Sequence, residues 1–199
     1  MTRRKSGNQL AFNDMLFNIL LGFVVLFIIA FLLINPITKK QDIPAKAEMM
    51  IVAEWSDNSE TDVDLWIQHD SYIPVGFNNK AGMGINLERD DLGVANDYVR
   101  IDGDTQIIRS NREVVNMRGV VPGNFYINVH AYSFKDSGPL EVSITVIDIN
   151  PTYKEIYKIK VTLETKGSIA RAPAFTVNNK GEVIQVFNHT KNIVPNKRN

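Results

Sequence analysis

The chain has 199 residues, with 22 basic and 22 acidic side chains and no cysteine. Because no basic footprint stands out, we expect no nucleic-acid partner; the lack of cysteine excludes disulfides and thiolate sites. The three histidines, His69, His130 and His189, are scattered, and no Ser/His/Asp signature, phosphate-binding glycine loop or zinc spacing occurs. The sequence therefore predicts that the protein is not an enzyme.

A long apolar run near the N-terminus predicts a transmembrane helix. Between Met15 and Ile34 the only polar side chain is Asn18. About twenty helical residues rise about 30 Å, which is the hydrocarbon thickness of a bilayer. Pro36 ends the helix because proline lacks an N–H and disfavours helical geometry in the residue before it. We expect a helix over 10–35, preceded by a cytoplasmic tail of residues 1–9.

A secretory signal peptide has the same order of a basic start and an apolar stretch. We favour an uncleaved anchor, because the stretch is longer than a signal core, carries Asp14 and Asn18, and has its nearest small-x-small site beyond Pro44. Basic residues lie on both sides of the helix, so charge alone does not fix its orientation. We expect a single-pass protein of the bacterial inner membrane, in contact with lipid, with a cytoplasmic N-terminus and a periplasmic C-terminal domain.

After a linker at 36–46, the hydrophobic period changes to two, which is typical of strands. Apolar and polar side chains alternate in four segments, 62–68, 124–132, 140–146 and 157–163. No helical period appears beyond the linker. The sequence therefore predicts an all-β domain over 47–187, an antiparallel β-sandwich of seven to nine strands. We expect residues 188–199 to form a loose C-terminal tail.

Asp14, Asn18 and Gly22 fall on one stripe of the predicted transmembrane helix. A polar stripe with a glycine allows another helix to approach closely, and an acid at this depth is costly in lipid and usually marks a functional site. Held against protein, Asp14 could load and unload H⁺ or Na⁺, and an ion crossing the membrane releases about 2.3 kcal/mol per 100 mV. The alternative is that Asp14 lies at the headgroup boundary as part of the helix start.

Residues 11–18 read Ala-Phe-Asn-Asp-Met-Leu-Phe-Asn. This stretch and the apolar helix after it resemble the B-subunit helix of ion-driven stator units. That group includes the flagellar stator B subunit, ExbD and TolR, the gliding-motility motor partner and the Zorya-type phage-defence motor. The resemblance implies a homodimer of B helices inside a pentameric ring of polytopic A-type subunits. It also implies that Asp14 carries the translocated ion while the ring rotates.

Three segments of the second domain, 62–67, 87–93 and 121–132, are similar to a family of extracytoplasmic β-domains. The similarity spans roughly residues 50–147 and implies a β-sandwich without a particular activity. We find no OmpA-like peptidoglycan-binding sequence over 47–199, in contrast to the flagellar and Zorya B subunits.

Carboxylates are concentrated in residues 57–104, which carry eleven acids and three bases. Asp62 and Asp64 share one side of a predicted strand, and Asp90 and Asp91 lie in a polar connection. Clustered carboxylates suit a hard cation, so these four are candidate ligands for Ca²⁺. The alternative is ordinary aspartates at strand edges and turns, balanced by neighbouring arginines.

Two functions remain open at this point. The first is a B-type subunit of a proton- or sodium-driven rotary motor, whose periplasmic domain anchors the complex or transmits torque. The second is a membrane-tethered module that binds a glycan, the cell wall or a protein. For this second function, Trp55 and Trp66 are candidates for stacking on a sugar ring.

Overall fold

The computed structural model describes residues 4–34 and 46–195, which belong to two separate units. The first unit contains one helix, α1 (Arg4–Ile34). Its segment Gln9–Phe31 is long and apolar enough to cross a membrane, which fits a single-pass membrane protein, although a signal sequence passes the same test. The predicted linker at 36–46 lies outside the described residues except for Lys46.

Helix α1 begins six residues before the predicted start at residue 10. The polar residues before the apolar run include no proline, so none of them forces the helix to begin only at residue 10. Asp14 therefore lies in the third turn of the helix, about 15 Å along the axis from Arg4. It is not part of a helix cap.

The second unit, called the β-domain here, covers the described residues 46–195. Its strands are β1 (Ala47–Glu54), β2 (Val63–His69), β3 (Ala81–Gly82), β4 (Ile85–Arg89), β5 (Tyr98–Ile101), β6 (Asp104–Ile107), β7 (Arg112–Arg118), β8 (Gly123–Ala131), β9 (Leu140–Asp148), β10 (Lys154–Leu163), β11 (Ile169–Val177) and β12 (Val183–Phe187). A short 3₁₀-helix at Gly93–Asn96 lies between β4 and β5. The prediction of a helix followed by an all-β domain is confirmed.

The strands form three antiparallel sheets. The largest has the order β10-β9-β1-β7-β4-β3, the second has the order β12-β11-β8-β2, and β5 and β6 form a separate hairpin. The described residues thus contain twelve strands rather than the predicted seven to nine. The prediction missed short elements such as β3, which has two residues, and the β5–β6 hairpin, whose side chains are all exposed and give no clear alternation.

The two larger sheets share one hydrophobic core. One face of each of the strands β1, β8 and β9 points inward, and Ile51, Ile127 and Ile144 are all fully buried. Phe125 and Phe175, from neighbouring strands, stack with their ring centroids 5.2 Å apart. This shared core makes the β-domain a sandwich.

Residues 188–195 lie across the four-stranded sheet and differ in this from the loose tail predicted from the sequence. Nε2 of His189 donates to the carbonyl oxygen of Ala172 at 3.0 Å. The ammonium group of Lys191 lies 4.3 Å from the centre of the Tyr126 ring, and Ile193 is buried. This irregular segment has no hydrophobic period, so the sequence pattern does not predict that it packs against the sheet.

Candidate functional site

Helix α1 carries Asp14, Asn18 and Gly22 on one side, whereas the polar residues Gln9 and Asn13 lie elsewhere around the helix. With a rotation of 100° per residue, Ala11, Asp14, Asn18 and Gly22 fall within a sector of about 80°. Asp14 lies five residues inside the span that begins at Gln9, about 7.5 Å along the axis. A methyl group added at Gly22 would meet nothing within 4 Å. Every side of the span is exposed, so this sector is distinguished by Asp14, Asn18 and Gly22 and not by its exposure.

The opposite side of the helix carries three large aromatic side chains among its other residues. Phe12, Phe23 and Phe27 project away from the Asp14 sector and are largely exposed. Large apolar side chains suit lipid, whereas small and polar ones are typical of contacts between membrane helices. The described residues contain one candidate span, so they provide no second membrane helix for the Asp14 side.

The four predicted calcium ligands come close enough together to influence one another, but three of them have other partners. His130 Nδ1 donates to Asp64 at 2.8 Å. Lys80 pairs with Asp90 at 2.8 Å, and Arg89 pairs with Asp91 at 3.2 Å. Asp62 differs, because its buried Oδ1 has no hydrogen-bond partner among the described residues.

The pKa of Asp62 also reflects the closeness of the other three carboxylates. Burial, followed by the charges of Asp64, Asp90 and Asp91, raises the pKa of Asp62 to about 7. Yet among the residues that the structure describes, no three His, Asp or Glu side chains are grouped so that they could hold one metal ion. The structure therefore does not assemble a calcium site from Asp62 and its neighbours.

A fifth carboxylate at this end of the β-domain was missed by the sequence reasoning. Glu113 lies on the inward face of β7 and is 1% exposed. Its Oε2 accepts the backbone N–H of Leu65 at 2.6 Å, and its Oε1 is buried without a partner in the described part of the chain. A signal did exist, since Glu113 occupies the same alternation phase as the core residues Val115 and Met117.

The outer face of the six-stranded sheet carries two adjoining depressions. The larger has a volume of about 630 Å³ and the smaller about 260 Å³, and both are lined by Glu54 and Lys158. Ion pairs on this face join Glu54 to Arg112 and Lys160 to Glu141, each at 2.6 Å. The surface is thus a polar groove with charges of both signs.

The two tryptophans offer no exposed ring for a sugar. Trp55 is 6% exposed and donates through Nε1 to the carbonyl oxygen of Thr61 at 3.2 Å. Trp66 is 1% exposed, and the edge of the Phe77 ring packs against it with 5.5 Å between the ring centroids. Both rings are used in packing, so the predicted sugar stacking is not available in this structure.

Comparison of the chain with protein-family models, with curated proteins and with solved structures gives no match. The function is therefore inferred from the geometry of the chain itself.

Proposed function

We propose that this chain is the B-type subunit of a proton- or sodium-driven rotary motor of the membrane. The observation that carries the proposal is the place of Asp14, a carboxylate inside the apolar span on the side that also carries Asn18 and Gly22. A charged side chain at this depth normally faces protein or a water-filled path. In the proposed complex, two copies of α1 stand side by side within a ring of polytopic A-type subunits.

The chemistry of the motor step follows from the two states of Asp14. The ionised carboxylate is held next to a polar path, because exposure to hydrocarbon is costly. Once H⁺ or Na⁺ binds, the neutral group can move past an apolar wall and release the ion on the other side. Each elementary charge that crosses supplies about 2.3 kcal/mol per 100 mV, which is the energy available for rotation.

The β-domain suits the role of an anchor or torque arm. Its two larger sheets share one core, and residues 188–195 fasten the end of the described chain to the four-stranded sheet. A force applied at β1, the first strand after the membrane helix, would therefore be carried by a packed body, since β1 pairs with both β7 and β9.

The direct test is Asp14→Asn in cells that contain the native partner. We expect ion flux and the function driven by the motor to be lost, because the amide keeps the size of the side chain and removes the exchangeable charge. Asn13→Ala is the matched control, since residue 13 is polar and adjacent but lies about 100° around the helix. Full flux and function in Asp14→Asn at normal protein level would refute the proposed role.

A second candidate function is a membrane-tethered binding module, and the polar groove beside Glu54 and Lys158 favours it. In that case α1 acts as an anchor only. Replacing residues 10–34 with an unrelated apolar helix would then preserve function, whereas the motor proposal expects complete loss. Co-purification with several copies of a polytopic membrane protein would favour the motor over the module.

A further inference from the structure

We propose that Glu113 is the centre of a proton-binding site in the β-domain, and that loss of its proton loosens the edge strand β2. The site is independent of Asp14 and of the motor proposal. It rests on three features of the fold: the place of β2 at a sheet edge, the contact that Glu113 makes there, and the acidic groups packed around this contact.

Strand β2 is an edge strand of the four-stranded sheet, where it pairs on one side with β8. An edge strand leaves backbone groups without a ladder partner. At Leu65 this group is the N–H, and Glu113 of β7, a strand of the other sheet, accepts it at 2.6 Å. The carboxyl group thus ties the two sheets together at the edge of the sandwich.

The second oxygen of Glu113 has no comparable contact. Oε1 is buried and has no hydrogen-bond partner within residues 46–195, as is also true of Asp62 Oδ1. A buried carboxylate oxygen without a partner is costly when the group is charged. A metal ion would need several ligands at one point, and no such group forms among the described residues. A proton needs only the one carboxyl group, so it is the cation that this geometry accommodates.

The charged groups around Glu113 come from several elements. They are Asp62 and Asp64 beside or within β2, Asp90 and Asp91 after β4, Arg89 at the end of β4, Lys80 before β3, Arg112 beside Glu113 on β7, and His130 on β8. The cations are engaged elsewhere, Lys80 with Asp90, Arg89 with Asp91, His130 with Asp64 and Arg112 with Glu54. No ion pair to Glu113 forms in the described part of the chain.

The direction of the pH effect follows from this arrangement. Burial, and then the charges of Asp64, Asp90 and Asp62, raise the pKa of Glu113 well above its usual value, against the opposing effect of the Leu65 hydrogen bond. A group whose pKa is raised in the closed form stabilises that form fully below its open-state pKa. This contribution is lost as the pH rises through the closed-state pKa. Between these two pKa values, the opening equilibrium should rise about tenfold per pH unit.

The test is hydrogen exchange of the full chain in lipid nanodiscs, followed between pH 5 and pH 8 on a peptide that covers β2 and corrected for intrinsic exchange rates. We expect protection of β2 to fall in the wild type as the pH rises, by up to about tenfold per pH unit. Glu113→Gln should reduce this dependence, because its amide oxygen can still accept the Leu65 N–H and cannot ionise. Glu141→Gln, an exposed acid paired with Lys160, is the control and should behave like the wild type.

Two results would overturn the proposal: pH-independent protection of β2 in the wild type, or a pH dependence in Glu113→Gln equal to that of the wild type. If Glu113→Gln does not fold, the infrared C=O band of a protonated carboxyl group decides the question in the wild type. Isotope labelling of glutamate assigns that band to glutamate rather than to aspartate. A glutamic-acid band that persists above the ordinary glutamate pKa supports the proton site, and a band that disappears at that ordinary pKa contradicts it.

Discussion

Each unit has a carboxyl group among apolar residues, but the group is exposed in α1 and buried in the β-domain. In α1, Asp14 lies on an exposed side of the helix, and the described residues provide no second membrane helix to cover it. In the β-domain, Glu113 is 1% exposed and bonds to a strand of the other sheet of the same sandwich. The comparison teaches that the carboxyl group of Glu113 is enclosed by its own domain, whereas Asp14 is not covered by any other described part of the chain.

The largest effect is expected from Asp14→Asn in α1, which should abolish function while leaving the β-domain folded. Both tryptophans of the chain lie in the β-domain, so their fluorescence reports its unfolding and no other part. We expect the same thermal unfolding midpoint for Asp14→Asn and wild type in detergent. A lowered midpoint would mean that the loss of function has a structural cause.

Removal of an aromatic ring from the core of the β-domain should lower the stability of that domain, in contrast to Asp14→Asn. Phe175 is fully buried and stacks on Phe125, so Phe175→Ala should destabilise the β-domain by about 3–5 kcal/mol. Phe27→Ala removes the same ring from the exposed side of α1 opposite Asp14, and tryptophan fluorescence should show no change in β-domain stability. Equal losses in the two variants would contradict the division into a self-contained domain and a lipid-facing helix side.

These contrasts also show what could be predicted from the sequence. The membrane helix and the strands β2, β8, β9 and β10 follow from local rules, since twenty apolar residues and a period of two each dictate a backbone form. The bond from Glu113 to Leu65 joins residues 48 positions apart. No local rule brings these two together, because the contact depends on how the two sheets pack. The calcium prediction failed to gain support partly for a similar reason, because His130 reaches Asp64 from 66 positions away, whereas the pair of Arg89 with Asp91, two residues apart, is local.

Gly22→Leu should weaken the association of α1 with its partners by a smaller amount. The substitution places a bulky side chain on the open side of the helix, where close approach is expected, and leaves the helix fold intact. We expect reduced recovery of the polytopic partner on co-purification and unchanged unfolding of the β-domain. Val24→Leu, on another side of the helix, is the control. Equal recovery with Gly22→Leu and the control would place the partner on a different face.

Asp62 should contribute to the pH dependence of β-domain stability with a defined sign. Asp62 has its pKa raised to about 7 in the folded state. The proton is held more tightly in the folded form, so this contribution to stability is present below the unfolded-state pKa of about 4 and is lost as the pH rises to about 7. Thermal unfolding should therefore occur at a lower temperature at pH 8 than at pH 5. Asp62→Asn should reduce this difference, and an unchanged difference would remove Asp62 from the explanation.

The smallest effect is expected on the outer face of the six-stranded sheet. Lys160 and Glu141 form an ion pair at 2.6 Å, but both side chains are mostly exposed. Exposed pairs contribute about 0–1 kcal/mol, so Lys160→Ala should change the stability of the β-domain by less than about 1 kcal/mol in denaturant unfolding. A larger loss would show that the groove region is part of the structural framework rather than free for a ligand.

The central claim is that the Asp14 side of α1 contacts another protein inside the membrane. The chain has no cysteine, so single cysteines can be introduced at Ala11, Asn18 and Gly22 and, as the opposite set, at Phe12, Phe23 and Phe27, each carrying a photo-crosslinker in native membranes. The account predicts crosslinks to a protein, either a second copy or a polytopic subunit, from the first set and mainly lipid adducts from the second. Lipid adducts from both sets, or equal protein crosslinks around the whole helix, would contradict it.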